Sequence, residues 1–200
     1  VIRKTLKKDD VKASFFFTGD FYRNPQFKNI IRKLKKDGNY LGAHSDKHLL
    51  YADWTNRDSL LVTEQEFKTD LESNYKEMDK FGLRKDEAQY FLPAYEWYNK
   101  SIASWTGEKG LKLVNFSPGT RSTADYTYPE MKSYRSSEEI YKSIMDYEPG
   151  SKNGLNGFIL LVHFGTDPKR TDKFYNRLDE LIADLKGKGY QFKRIDELLE

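Results

Sequence analysis

Two hundred residues suffice to bury one hydrophobic core and are too few to promise two, so a single domain over 1–200 is expected. Charged residues make up 32% and hydrophobic ones 38%, and no apolar run approaches the roughly 20 residues of a bilayer-spanning helix, which excludes an integral membrane helix within the sequence. The net charge is only +3, with lysines scattered among acidic residues, which argues against a nucleic-acid partner; the lack of cysteine excludes disulfides and thiolate sites and leaves the compartment open.

The elements follow in chain order. Ile2 and Leu6 lie one helical turn apart among basic residues, as in the last turns of an amphipathic helix, so residues preceding Val1 are expected in the natural product. Residues 12–19 read as a short strand buried on both faces, followed by a helix over about 25–37 with Phe27, Ile30, Ile31 and Leu34 inward. Gly38 stops that helix, residues 40–44 form a second strand, and Thr63-Glu64-Gln65-Glu66 has the form of a capping box opening a helix to about Phe81. Residues 89–92 are a third strand, 100–108 a helix, 111–116 a fourth strand, and 137–147 a helix with a serine cap. Residues 157–163 are the plainest strand, 172–186 a helix, 190–193 a last strand, and a short helix ends the chain. Such alternation predicts parallel strands with crossover helices, in a barrel or an open sheet.

The sequence has three histidines, and each falls at or just past the C-terminal end of a predicted strand, where such folds gather reactive groups. His44 and His48 are four apart, a spacing that lets both rings point one way and share a divalent ion; a pair of solvated loop histidines has the same spacing. His163 ends an apolar run, which delivers an ionisable ring from a rigid element, or else a ring satisfied by a backbone carbonyl. Aromatic residues are 15% of the chain, enough for a core and for platforms under sugar rings.

These motifs together resemble the polysaccharide deacetylases, also called the NodB-homology domain or carbohydrate esterase family four. Lys12-Ala13-Ser14-Phe15-Phe16-Phe17-Thr18-Gly19 is similar to the family's Lys-Ala-Thr-Phe-Phe-Val-Thr-Gly strand, and His44-Ser45-Asp46-Lys47-His48 to its His-Ser/Thr-x-x-His metal motif. Leu92-Pro93-Ala94-Tyr95 stands where the family has Arg-Pro-Pro-Tyr, Asp125-Tyr126 where it tends to have Asp-Trp, and Leu161-Val162-His163 matches Leu-x-His.

The resemblance implies a distorted (β/α) barrel of the polysaccharide deacetylase type, its first strand absent from this chain, acting as a metal-dependent hydrolase on the acetyl groups of a glycan. It implies His44 and His48 as ligands to a divalent metal, zinc by family habit. Tyr95 contributes a backbone N–H to an oxyanion hole, His163 is the catalytic acid, and Asp125 orients it. Leu161 and Trp97 are the residues expected to meet substrate, Trp97 being equally suited to the core, and Glu96 receives no role. It further implies a site of action outside the cytoplasm, and it does not fix the oligomeric state.

Two departures bear on activity. The family's Asp-Asp motif, source of the third ligand and the general base, is expected before Val1, and Asp20 is a poor substitute within the chain. Leu92 replaces an arginine that in the family pairs with the base, which keeps open the alternative of a catalytically inactive carbohydrate-binding domain.

Overall fold

The computed structural model describes residues 1–199. In chain order it holds α1 (Ile2–Lys8), β1 (Ser14–Phe17), α2 (Gly19–Arg23), a 3-10 turn at Pro25–Phe27, α3 (Lys28–Lys36), β2 (Tyr40–Ala43), α4 (Glu64–Asp79) and β3 (Tyr90–Phe91). There follow α5 (Lys100–Glu108), β4 (Lys112–Leu113), a 3-10 turn at Ser122–Tyr126, α6 (Ser137–Gly150), a 3-10 turn at Phe174–Arg177, α7 (Leu178–Gly187) and α8 (Ile195–Leu198). The chain divides into two compact units, one of Lys12–Asn115 with the residues from Arg194 on, the other of Val1–Val11 and Phe116–Lys193. Among the described residues no helix is long and apolar enough to cross a membrane.

The first of these units carries a four-stranded parallel sheet in the order β1-β2-β3-β4, with Phe15 opposite Leu41, Ala43 opposite Phe91 and Phe91 opposite Leu113. Helices form each connection because parallel neighbours need a crossover. Those helices bury Ile31 and Leu34 from α3, Phe67, Leu71 and Met78 from α4, and Ile102 from α5, each worth roughly 1.5–3 kcal/mol in apolar burial. The predicted capping box opens α4: Thr63 Oγ1 accepts from the Glu66 N–H, and the Glu66 carboxylate accepts from the Thr63 N–H. Parallel pairing brings Thr18, His44 and Leu92, the residues just past β1, β2 and β3, to one edge of the sheet.

Two local readings are corrected here. β1 is the outer strand of this sheet and pairs only with β2 in it, so Ser14, Phe15 and Phe16 are half-buried and only Phe17 is fully buried. The segment after it is helical sooner than expected, because Thr18 Oγ1 caps the Phe21 N–H at 3.1 Å and starts α2. Asn24 then caps a 3-10 turn at Pro25–Phe27, so the regular helix begins at Lys28.

The other unit packs α6 and α7 around Ile140, Ile144, Leu155, Phe174, Leu181 and Leu185. Ser136 caps α6 in a second reciprocal box, with Glu139. The expected strands at 157–163 and 190–193 are not formed. Ile159 instead meets Ser117 at both of its backbone groups, its carbonyl accepting from the Ser117 N–H and its N–H donating to Ser117 Oγ at 3.0 Å, so a hydroxyl takes the place of a ladder carbonyl. The period of two persists in packing, since Phe158, Leu160 and Val162 lie against the core. The Tyr190 N–H is spent on the Leu185 carbonyl at the end of α7.

Arg170 is completely buried in this unit. Its guanidinium donates to the Thr127 carbonyl at 2.6 Å, to the Arg135 carbonyl at 3.0 Å and to Ser137 Oγ at 3.3 Å. Arg170→Met is expected to lower unfolding stability by about 3 kcal/mol, because two carbonyls lose their donor where water cannot replace it. Urea denaturation checks this, and a midpoint unchanged from the parent would contradict it.

Candidate functional site

The His44–His48 loop leaves β2 under close control from α4. Asp70, on the buried face of α4, accepts four hydrogen bonds: from Ser45 Oγ at 2.8 Å, the Asp46 N–H at 3.0 Å, the Lys47 N–H at 3.0 Å and Tyr51 Oη at 2.9 Å. Burial and the Asp70 charge push the Tyr51 phenol well above its ordinary pKa, so it stays a donor. Asn74, one turn on, accepts from the His44 N–H at 2.9 Å. This scaffold holds Ser45 and His48 in the left-handed region, at φ 68° and 55°, conformations that an unsupported loop would relax.

Within that loop, His44 Nδ1 lies 2.9 Å from the Leu92 carbonyl. A carbonyl can only accept, so Nδ1 carries the proton and the lone pair sits on Nε2, the tautomer a metal requires. The His48 ring lies 5.0 Å from that of His44, centroid to centroid, at 65°. Leu92 itself is buried, and its backbone carbonyl meets the histidine loop.

Charge encloses the loop on the α2 side. Arg23 binds both Asp46 and Asp20, and Lys47 reaches Asp20 at 2.5 Å. The hydrogen bond from Lys47 holds the Asp20 carboxyl below its usual range, with Arg23 adding to the effect. Its Oδ1 is thus shared by two cations. Gly19 is needed here because a Cβ would fall 1.7 Å from Asp46 Oδ1.

The segment after β3 supplies the next pieces. Tyr95 and Glu96 both have positive φ, 60° and 53°, and Asn115 Nδ2 braces the Glu96 carbonyl at 2.8 Å. Among the described residues the Tyr95 N–H has no acceptor, and the Tyr95 ring, 44% exposed, lies 4.4 Å from that of His48. Trp97 is half-buried, its Nε1 donating to the Asp53 carbonyl at 3.1 Å. Trp54, which sequence reasoning passed over, lies 5.5 Å from Trp97 and 5.6 Å from Tyr95. Asp70 was missed as well; the signal for it was a carboxylate three residues after Phe67 and four before Asn74, on an otherwise inward face.

In the other unit, Asp125 is 2% exposed and spends both oxygens on His163. Oδ2 accepts from the His163 N–H at 2.7 Å and Oδ1 from Nδ1–H at 2.6 Å. The Tyr126 ring stands 5.4 Å from the imidazole. Leu161 is half-buried and alternates with Leu160 and Val162, which pack on the core.

His44 and His48 thus fit two positions of a metal site by donor chemistry, and His44 by tautomer as well. Among the described residues no group of three or more His, Cys, Asp or Glu side chains is gathered as such a site needs. Removing the support of the loop should be felt at those two ligands. Asp70→Ala is expected to lower stability by about 3 kcal/mol, because it strands buried donors, and to weaken metal binding roughly tenfold. Thermal unfolding and zinc titration on the same preparation check both effects.

Comparison with known proteins adds the following. A family profile described as polysaccharide deacetylase matches residues 2–114. Among curated proteins the chain is 27% identical over 195 residues to YlxY of Bacillus subtilis (strain 168), covering 98% of this chain and 51% of that protein. It is also 27% identical over 195 residues to the peptidoglycan-N-acetylmuramic acid deacetylase PdaA of the same organism, covering 97% and 63%. The chain therefore spans about half to two thirds of the length of these relatives. Among solved structures, the Bc1960 peptidoglycan N-acetylglucosamine deacetylase superposes with TM-score 0.74 at 20% identity, covering 98% of this chain and 79% of that one. BA3943, a CE4 family pseudoenzyme from Bacillus anthracis, gives 0.72 at 18%, covering 98% and 58%. A family 4 acetyl xylan esterase from Clostridium thermocellum, in complex with a cobalt ion, gives 0.73 at 21%, covering 98% and 81%. The fold class read from the sequence, α/β of the deacetylase type, is the one these structures have.

Proposed function

The chain belongs to the polysaccharide deacetylase family, and we propose that it removes acetyl groups from the amino sugars of a glycan, with a divalent metal, zinc by its ligand chemistry, held by His44 and His48. The observation that carries this reading is the histidine loop: two imidazoles set by Asp70 and Asn74, with His44 fixed in its ligand tautomer by the Leu92 carbonyl. When bound, such a metal supplies Lewis acidity and a water acidic enough to ionise near neutral pH. Further roles fall to groups of this chain, the general base being the carboxylate expected before Val1. The Tyr95 N–H is a donor for the acyl oxygen as negative charge develops on it. His163, its Nδ1–H directed at Asp125, has Nε2 as the atom that gives a proton to the departing amine, and Asp125 keeps that tautomer while balancing the imidazolium charge. Leu161 in one unit and Trp97 in the other are each assigned a sugar contact.

The relatives' names point to peptidoglycan, an N-acetylated glycan outside the cytoplasm, as the substrate class and place of action. Acetate release from N-acetylglucosamine oligomers by the full-length protein tests this: a dicarboxylate chelator should abolish it, and zinc or cobalt should restore it. Leu92 in the arginine position, with no group of three ligand side chains gathered among the described residues, favours one other reading, an inactive glycan-binding domain. Glycan binding with no acetate from the metal-loaded protein would establish that reading instead.

A further inference from the structure

We propose that Trp54 is a sugar-stacking subsite beside the metal pair, holding the pyranose ring next to the one that is deacetylated, so that the protein prefers an oligosaccharide to a single sugar. The inference rests on the deacetylase reading for which ring reacts, but not for the binding itself.

Trp54 stands at the tip of a short hairpin. Ala52 and Leu60 pair antiparallel, the Asp53 N–H donates to the Ser59 carbonyl at 2.9 Å, and the Leu61 N–H donates to the Tyr51 carbonyl at 2.9 Å. Asp53 Oδ1 closes the turn by accepting from the N–H groups of Thr55 and Asn56, each at 2.8 Å. The hairpin is also pinned from outside. Trp97 Nε1 donates to the Asp53 carbonyl, Arg57 Nε to the Tyr98 carbonyl at 2.6 Å, and Asn99 Nδ2 to the Arg57 carbonyl at 3.1 Å. The Arg57 guanidinium lies 4.3 Å from the centre of the Trp97 ring. These bonds fix the backbone on both sides of Trp54 and leave its indole 54% exposed.

A single exposed aromatic is ordinary on a protein surface. This one is set apart by what lies behind and beside it. Trp97 backs it at 5.5 Å and 32°, and Tyr95 meets it edge-on at 5.6 Å and 81°. Tyr95 in turn touches His48, whose ring neighbours His44, so an unbroken run of rings leads from the histidine pair to Trp54. The C–H face of a pyranose carries slight positive charge and suits the negative face of an indole. Asn56 and Asp58, both exposed on the same tip, provide donors and acceptors that equatorial hydroxyls need. A ring packed against Trp97 and Tyr95 on a pinned backbone loses less entropy on binding than a free one, which makes stacking effective there.

The test compares the full-length wild type with Trp54→Ala and Trp54→Phe. On tetra-N-acetylchitotetraose, Trp54→Ala should raise KM by about 3–10-fold with kcat unchanged, should leave turnover of 4-nitrophenyl acetate unaltered, and should be largely rescued by Trp54→Phe. Thermal midpoints of all three should agree. Calorimetric binding of the same tetrasaccharide, with chelator present, reads the subsite without turnover: a matching loss of affinity in Trp54→Ala supports it even if the wild type releases no acetate. Equal tetrasaccharide affinity in wild type and Trp54→Ala, or no binding by the wild type, overturns it.

Discussion

Replacing His48 by asparagine is expected to lower acetate release by roughly 10²–10⁴-fold and to remove tight metal binding. The loop carries two imidazoles, so losing one leaves a single nitrogen donor there. Asparagine is the informative substitution because His48 has φ 55°, a conformation asparagine accepts more readily than alanine does. Its thermal midpoint should therefore stay near the wild-type value, whereas His48→Ala should lose about 1 kcal/mol more to backbone strain. Metal content by elemental analysis, read beside acetate release, separates loss of ligand from loss of fold. A His48→Asn protein that keeps its metal and its rate would remove the histidine loop from the chemistry altogether.

What could be read from the sequence was local in kind. The apolar run 40–44 closing on His44, the Thr63 box and the helix it opens each depend on neighbours within a few residues, and each appears in the structure close to its predicted bounds. The parallel order followed from the alternation of strand and helix. What escaped depended on partners far along the chain. Residues 157–163 have the hydrophobicity of a buried strand, yet the Ile159 N–H is taken by the hydroxyl of Ser117, 42 positions away, and no pattern in the run itself discloses that. Asp70 lies on the inward face of α4, but the groups it binds come from the histidine loop, 23 to 25 residues back in sequence, and nothing near it names them. Trp54 sits among turn-forming residues that read as plain loop, and its setting exists only once the segment after β3 comes alongside.

Asp125→Asn is expected to lower kcat on an N-acetylated oligosaccharide by roughly 10²–10⁴-fold with little change in KM. The argument rests on both carboxylate oxygens being acceptors, one for the His163 N–H and one for Nδ1–H. An asparagine amide has one acceptor and one donor to offer. If its oxygen keeps the backbone N–H, its NH₂ faces Nδ1 and forces the imidazole into the opposite tautomer. If its oxygen keeps Nδ1–H, its NH₂ opposes the backbone N–H in a buried setting, which displaces the ring. In neither case does a carboxylate charge remain to balance an imidazolium. The loss should depend on the leaving group. An amine departs only when protonated, but 4-nitrophenolate leaves without help, so hydrolysis of 4-nitrophenyl acetate should stay within about threefold of wild type. That contrast distinguishes an acid held by Asp125 from a strut that merely supports the fold. Equal losses on the two substrates would assign Asp125 to the architecture of its unit and leave His163 without its proposed role.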